Sequence, residues 1–169
     1  MEKGKMQSLG IIHVRLDERM IHGQVATLWS GNLGATRIMI ADDAVAKNEI
    51  EKASLKTAVP GGVKLSILKV ETAAARIQAG NYIGQKVFLI VPKLSDLFEL
   101  IDAGVPIEAF NLGNLSLKPG IEGVRITKSC YLTQDQLDRC LALEKEGIRI
   151  TAQMVPMEQA RPLSQLLKK

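Results

Sequence analysis

Lys86-Val87-Phe88-Leu89-Ile90-Val91 ends in five consecutive apolar residues and lies near the middle of the 169-residue chain. A strand with one solvent-exposed face would alternate apolar and polar residues, and this segment does not. An uninterrupted apolar run is typical of a strand that is buried on both faces, as in a parallel sheet with helices above and below it. The segment therefore predicts a central strand of an α/β protein.

Segments with strand-like and helix-like patterns alternate on both sides of this run. The alternation predicts a mainly parallel sheet with helices on both faces and right-handed crossovers. The predicted strands are residues 11–16, 36–41, 63–68, 86–91, 107–112, 124–128 and 148–154. The predicted helices are residues 24–29, 70–79, 95–104 and 133–146, one more after residue 43, and a tail at 162–167 that is compatible with a helix.

Polar residues at the predicted helix starts indicate where several helices begin. Thr133 and Gln136 have the spacing of a capping box. Asp42 or Asp43 is expected to cap the helix that follows it, and Ser95 the helix that ends at Gly104. The apolar side of the helix after Asp43 is predicted to contain Ile50, Leu55 and Val59.

Length and composition favour a single domain. We expect residues 1–10 to be a flexible extension and residues 11–169 to form one domain, since the sequence shows no internal repeat or linker. The extension lacks the apolar stretch of a signal peptide, and no apolar run approaches the ~18 residues of a membrane span, so we expect a cytoplasmic protein.

The charge and the metal-binding residue types exclude some classes of function. The formal net charge is +4, which fits an anionic substrate or an acidic partner. Lys and Arg are scattered and aromatic residues are 4% of the chain, so nucleic acid is not expected as a partner. Cys130 and Cys140 match no zinc or redox spacing, and we expect them to be reduced and near the core. With two histidines and two cysteines in the chain, a metal site is not expected.

The loop after the first predicted strand combines a histidine with two arginines. In open parallel sheets, ligands bind at the carboxyl ends of the strands, where this loop lies. His22 could act as a nucleophile, because its neutral form is available near pH 7. Arg15 and Arg19 could bind phosphate oxygens through their planar guanidinium groups. These residue types together suit phosphoryl transfer, which depends mainly on positioning and charge stabilisation.

Three neighbours could support this chemistry. Asp17 could hold an arginine in place or orient the imidazole. Gly23 could adopt a positive φ or let the backbone approach an anion, and Gln24 opens a helix whose free N–H groups favour anions. A histidine at a helix start is nevertheless more often a cap or a solvated side chain, so the residue types alone leave both interpretations open.

The segment from Arg15 to Val25, Arg-Leu-Asp-Glu-Arg-Met-Ile-His-Gly-Gln-Val, resembles the active-site motif of the IIB subunits of the mannose/fructose/sorbose class of sugar phosphotransferase systems. Leu16 and Met20 are mild apolar variations on that motif. The resemblance extends over essentially everything after the first ten residues, including Trp29, residues 41–46, 110–113, 128–129 and 147–148, and the Gln-Met-Val-Pro segment at 153–156.

This resemblance implies both a fold and an activity. The fold is an open, twisted, mainly parallel α/β sheet with helices on both faces. The activity is that of a phosphotransferase subunit: His22 accepts a phosphoryl group from the IIA partner and passes it to a sugar that enters through the membrane subunits IIC and IID. Arg19, followed by Arg15, is implied as the phosphate-binding residue, and no metal or organic cofactor is implied. The location is the cytoplasm, peripheral to the membrane complex, and the Glu18 variant is similar to N-acetylgalactosamine-type members.

Two alternatives remain at this stage. A regulatory module of the same fold would be phosphorylated without transferring phosphate to sugar. Asp42 and Asp43 could instead suggest an aspartyl-phosphate receiver, but a receiver places its acidic pair after the first strand, so capping is preferred.

Several further residues have two possible roles. Asn111, Gly113 and Asn114 could form a turn or shape the site beside His22, and Ser129 could contact phosphate. His13 is expected to be packed within the first strand.

Overall fold

The computed structural model describes residues 4–167, apart from the side chains of Gln24 and Val25, and shows an α/β fold. The strands are β1 (Ile11–Asp17), β2 (Arg37–Ala41), β3 (Lys64–Leu68), β4 (Val87–Val91), β5 (Ala109–Asn114), β6 (Val124–Thr127), β7 (Cys130–Leu132), β8 (Arg149–Ala152) and β9 (Arg161–Pro162). The helices are α1 (Lys5–Ser8), α2 (Gly23–Leu33), α3 (Asp43–Ala46), α4 (Glu49–Ala58), α5 (Val70–Gln78), α6 (Leu94–Asp102), α7 (Gln134–Lys145) and α8 (Leu163–Leu166).

The main sheet has seven strands in the order β3-β2-β4-β1-β5-β8-β9. All pairs are parallel except β8 with β9. The predicted fold class is therefore confirmed. β4, the strand predicted from residues 86–91, lies between β2 and β1, and each of its five residues is buried.

The side chains of β4 alternate between two hydrophobic clusters, one on each face of the sheet. Val87, Leu89 and Val91 pack in a cluster with residues of α5, α6 and α7. Phe88 and Ile90 pack in a second cluster with residues of α2 and α4. Burial on both faces explains why no polar residue interrupts this strand.

The connections place the loop after β1 at a change of face. β1 is followed by α2, on one face of the sheet, whereas its neighbour β4 is followed by α6, on the other. Helices that leave adjacent strands toward opposite faces open a crevice at the carboxyl ends of those strands, which is where open α/β sheets bind ligands.

Several details differ from the sequence-based predictions. Asp42 caps only the short α3, and Asn48 caps α4. Lys93 occupies the N-cap position of α6, so the prediction of a Ser95 cap was wrong. Ile50 is 85% exposed and is not on a packed side of α4. β6 pairs with β7, a strand not predicted, in a separate antiparallel sheet.

The described part of the predicted N-terminal extension is packed against the domain. Residues 5–8 form α1, and Met6 is buried in the cluster shared with α5, α6 and α7. The Glu108 carboxylate accepts a hydrogen bond of 2.8 Å from the backbone N–H of Met6 and so ties α1 to the start of β5. Residues 5–8 of the predicted extension are thus attached to the domain, residues 1–3 lie outside the described part of the structure, and the boundary at residue 10 stays a prediction.

The two cysteines are buried and not disulfide-bonded. Burial raises the pKa of both thiols to about 12, so they are protonated at neutral pH. His13 is also packed, as predicted, and stacks on Trp29 with ring centroids 4.9 Å apart. Its Nε2 atom is buried and has no hydrogen-bond partner among the residues that the structure describes. Burial, followed by the nearby Arg15 charge, lowers the pKa of His13 to about 4.

We expect His13 to make the protein less stable in mild acid. Above pH 6.5 His13 is neutral in both folded and unfolded states, whereas between pH 6.5 and 4 only the unfolded state takes up the proton. The free energy of unfolding contributed by this residue should therefore fall by about 3 kcal/mol as the pH drops from 7 to 4. Urea unfolding of wild type and His13→Phe across this range measures the difference. A constant difference between the two proteins would contradict the prediction.

Candidate active site

The loop after β1 is a tight turn built around Asp17. The Asp17 side chain accepts a hydrogen bond of 3.0 Å from the backbone N–H of Arg19, and its backbone carbonyl accepts one of 3.0 Å from Met20. Met20 adopts a φ of 58°, which is uncommon for a residue with a side chain. The turn reverses the chain directly after the strand, and Ile21 then packs with Trp29 in the cluster on the α2 face.

Glu18 fixes the other side of the same turn. Its backbone N–H donates to the carbonyl of Asn114 at 2.9 Å, and its carboxylate accepts from the backbone N–H and the hydroxyl of Ser116. The turn is thus attached to the segment after β5 as well as to β1.

His22 is exposed and is the N-cap residue of α2. Its side chain makes no capping hydrogen bond, so the imidazole is not used to complete the helix. Gly23 follows with a φ of 50°, and a side chain placed there would meet nothing within 4 Å, so backbone conformation rather than space requires the glycine. Gln24 lies in the first turn of α2, and its side chain is outside the described part of the structure.

Arg15 is almost completely buried, with 1% of its surface exposed. Its Nε donates to Asp17 Oδ2 at 3.3 Å, and Nη1 donates to Asn111 Oδ1 and, at 2.8 Å, to the carbonyl of Gln153. Nη2 donates to the Met154 carbonyl at 3.0 Å and lies 3.6 Å from the Met154 sulfur. Burial lowers the pKa of Arg15, while the adjacent carboxylate of Asp17 opposes that effect.

Arg19 differs from Arg15 in exposure and in contacts. Its side chain is 33% exposed, and its Nε lies 3.7 Å from Asp17 Oδ1, which is too long for a hydrogen bond. Its Nη2 lies 3.8 Å from the Met154 sulfur. The structure therefore keeps Arg15 inside the fold and leaves Arg19 at the surface of the loop with weak contacts.

The predicted residues at the end of β5 hold the arginine. Asn111 accepts from Arg15, and Gly113 leaves the space that the guanidinium occupies, because a Cβ there would overlap Arg15. Asn114 contributes its carbonyl to Glu18. Ser129 donates to the Gly113 carbonyl at 3.3 Å. The structure thus joins these four residues to Arg15 and the turn.

Sequence reasoning did not single out Met154, although the Gln-Met-Val-Pro segment containing it was part of the resemblance. The Met154 carbonyl accepts hydrogen bonds from both Trp29 Nε1, at 2.9 Å, and Arg15. The Arg15 side chain also lies over the Trp29 ring at 5.0 Å. A segment 125 residues after Trp29 therefore closes the site, and no local pattern marks a backbone carbonyl for this role.

A second polar cluster lies at the same sheet edge. The Asp42 carboxylate accepts from the backbone N–H of Val45 and lies 3.7 Å from Lys93 Nζ. Burial, and then the neighbouring Asp42 carboxylate, raise the pKa of Asp96 to about 8, so Asp96 is protonated at neutral pH. Burial opposes ionisation of Asp42 as well, but hydrogen bonds from Asp96 and Val45 and the Lys93 charge lower its pKa overall.

An open groove of about 980 Å³ runs along this edge. Its walls include Glu18 and Met20 of the turn, Asp42, Lys93 and Ile121, whereas His22 lies outside it. Among residues 4–167, no three His, Cys, Asp or Glu side chains are grouped so that they could hold a metal ion. Within the same range, no helix has the length and apolar character needed to cross a bilayer.

Comparison with known proteins agrees with this geometry. Residues 11–169 match the family model described as PTS system sorbose subfamily IIB component. The sorbose-specific EIIB component of Lacticaseibacillus casei is 34% identical over 155 residues, which cover 92% of each chain.

Two solved structures are similar over nearly their whole length. The IIBSor domain of the sorbose permease from Klebsiella pneumoniae has a TM-score of 0.85 at 29% identity, covering 93% of this chain and 95% of that one. An N-acetylgalactosamine IIB component from Streptococcus pyogenes has a TM-score of 0.78 at 29% identity, covering 90% and 93%. The chain belongs to the sorbose-type IIB family of the sugar phosphotransferase system, whose members are phosphotransferase components.

We expect Asp17→Asn to destabilise the fold strongly. Asp17 is 3% exposed, and its replacement would leave the buried Arg15 charge without a neutralising carboxylate. The free energy of unfolding should fall by about 3 kcal/mol or more. Asp102→Asn is the matched control, because Asp102 pairs with Arg139 at the surface and is 62% exposed; it should cost less than about 1 kcal/mol. Equal losses in the two variants, measured by urea unfolding, would refute a special role for the buried pair.

We also expect Gly113→Ala to displace Arg15. The added methyl group would overlap the guanidinium, and such overpacking costs about 1–3 kcal/mol. Gly31→Ala provides the control, since Gly31 lies within α2 and a Cβ there meets nothing within 4 Å. That change should be neutral or stabilising by up to about 1 kcal/mol. Thermal unfolding distinguishes the two variants, and a harmless Gly113→Ala would show that Arg15 has room to move.

Proposed function

We propose that His22 is the phosphoryl carrier of this IIB component. It would accept the group from a phosphohistidine of a IIA component and deliver it to a sugar bound by the membrane subunits IIC and IID, with the protein acting in the cytoplasm at the membrane surface. The observation that carries this proposal is an exposed histidine, free of any capping hydrogen bond, on a turn fixed by buried ionic contacts. The match to the IIB family over residues 11–169 supports it.

The chemistry requires little beyond position and charge. A neutral ring nitrogen of His22 attacks phosphorus, an N–P bond forms, and the N–P bond to the donor histidine breaks. In the second transfer a sugar hydroxyl oxygen attacks the same phosphorus and an O–P bond forms while the N–P bond of His22 breaks; the net result is that the hydroxyl proton goes to the imidazole, which becomes neutral again. In both transfers the phosphoryl oxygens carry negative charge, which the protein has to stabilise for a short time.

We assign the phosphate-binding role to Arg19 and a supporting role to Arg15. Arg19 is partly exposed and has weak contacts, so its N–H groups can turn to phosphoryl oxygens. The N–H groups of Arg15 are used within the fold, and Asp17 is shared between the two arginines. The backbone N–H groups of the first turn of α2, at Gly23 and Gln24, add donors next to His22.

The sugar is left open in this proposal. A relative named for sorbose and one named for N-acetylgalactosamine are equally identical to this chain in the structural comparison, at 29%. The Glu18 side chain, which suggested an amino-sugar type, binds Ser116 within the protein.

Labelled phosphate from a phosphorylated IIA component tests the proposal. Wild type should acquire an acid-labile, base-stable label, and His22→Ala should acquire none. His13→Phe is the control, since His13 is the other histidine of the chain and is packed against Trp29; it should be labelled like wild type. Label that persists on His22→Ala would contradict the proposal. Adding membranes with IIC, IID and sugar should then yield sugar phosphate, whereas a regulatory module would keep the label.

A further inference from the structure

The sulfur atom of Met154 lies between the two arginines of the site. It is 3.6 Å from Arg15 Nη2 and 3.8 Å from Arg19 Nη2. The backbone of the same residue is fixed separately, because its carbonyl accepts from Trp29 and Arg15 and its N–H donates to Glu158. The thioether therefore contacts Arg19 from a segment whose backbone is held by hydrogen bonds.

The side-chain contacts of Arg19 with other described residues are weak. A thioether sulfur is a poor hydrogen-bond acceptor, and the Asp17 carboxylate is 3.7 Å from Arg19 Nε. That Nε atom is buried and has no hydrogen-bond partner within the described residues. The Arg19 guanidinium is therefore held in position although its N–H groups have no strong acceptor. Its hydrogen-bonding capacity remains available for an anion.

A stronger acceptor at position 154 would change this balance. An amide or carboxylate oxygen would form a hydrogen bond with Arg19 that a phosphoryl oxygen would have to displace. An aliphatic side chain would leave the guanidinium free to take other rotamers, and ordering it on binding would then cost entropy. The thioether lies between these two cases, since it fills the space and attracts the guanidinium only weakly.

We propose that Met154 is a positioning residue for Arg19, whose sulfur holds the guanidinium by a contact weak enough to be exchanged for a phosphoryl oxygen. This inference rests on the proposed function of His22 and adds a residue from outside the β1 loop to it. Substitutions of the Met154 side chain leave its backbone contacts in place and change only the sulfur contacts with Arg15 and Arg19. Arg15 keeps its hydrogen bonds to Asp17, Asn111 and the carbonyls of residues 153 and 154, so we expect the main effect to be on Arg19.

Substitution by leucine and by glutamine tests the inference. Met154→Gln should lower kcat/KM for phosphoryl transfer from the phosphorylated IIA component by about tenfold, the effect of one hydrogen bond to a charged group. Met154→Leu should lower it by about threefold, the effect of a modest ordering cost. Met157→Gln and Met157→Leu are the matched controls in the same segment, since Met157 is 70% exposed, and they should match wild type. Melting temperatures should stay within about 3 °C of wild type.

The same substitutions in an Arg19→Lys background separate positioning from a structural role. Lysine lacks the guanidinium fork, so the Met154 effects should disappear there. Effects of equal size in both backgrounds, or wild-type kinetics for Met154→Gln, would overturn the inference.

If wild type accepts no label, the proposed function of His22 fails. The inference about Met154 is then tested separately, by calorimetric measurement of inorganic phosphate binding. Met154→Gln should then weaken phosphate binding about tenfold relative to Met157→Gln, and equal binding would refute the inference.

Discussion

The ion pair between Arg15 and Asp17, buried at the end of β1, is the interaction on which the site depends. A guanidinium removed from water needs a neutralising charge and partners for its N–H groups, or it destabilises the fold. Asp17, two residues further along β1, supplies the charge, and two distant segments supply the remaining acceptors: Asn111 on β5 and the carbonyls of Gln153 and Met154 after β8. Satisfying one buried charge therefore brings together the parts of the sheet edge that form the site.

This arrangement explains how a short loop can be both precise and exposed. Asp17 uses one carboxylate oxygen for Arg15 and the other for the backbone of Arg19, so the turn that precedes His22 is fixed from inside the protein. The histidine needs no contacts of its own to be held in place, and its ring remains accessible to partners. Arg15 and Arg19 are four residues apart and have the same chemistry, yet Arg15 is buried with its N–H groups bonded within the fold, whereas Arg19 is partly exposed and has weak side-chain contacts.

The sequence predicts the strands, the helices and the family motif well because each of them depends on a local pattern of residues. The apolar run at 87–91 indicates burial on both faces, and all five residues are buried in the structure. Thr133 and Gln136 form the predicted capping box. The segment around His22, through its resemblance to a known motif, predicted the family that the comparisons show. Each of these predictions depends on residues close together in the chain.

What the sequence did not predict depends on contacts between distant segments. Arg15 was expected to bind phosphate because arginines beside a histidine suit that role, but its partners include carbonyls 138 and 139 residues away. Every residue has a backbone carbonyl, so residue types do not indicate which carbonyls accept from Arg15. Neither the burial of Arg15 nor the position of Met154 was therefore predictable. Residues 5–8 contain a single apolar residue, Met6, which packs into the core and whose backbone N–H donates to Glu108, 102 positions further along the chain.

Nitrogen-15 NMR of the arginine side chains before and after phosphorylation tests the central claim most directly. If Arg15 belongs to the scaffold and Arg19 binds the anion, phosphorylation of His22 should shift the Nε resonance of Arg19 and slow its hydrogen exchange. The Arg15 resonance should be in slow exchange in both states and should scarcely move. A shift of Arg15 as large as that of Arg19, or rapid exchange of Arg15 before phosphorylation, would contradict the account.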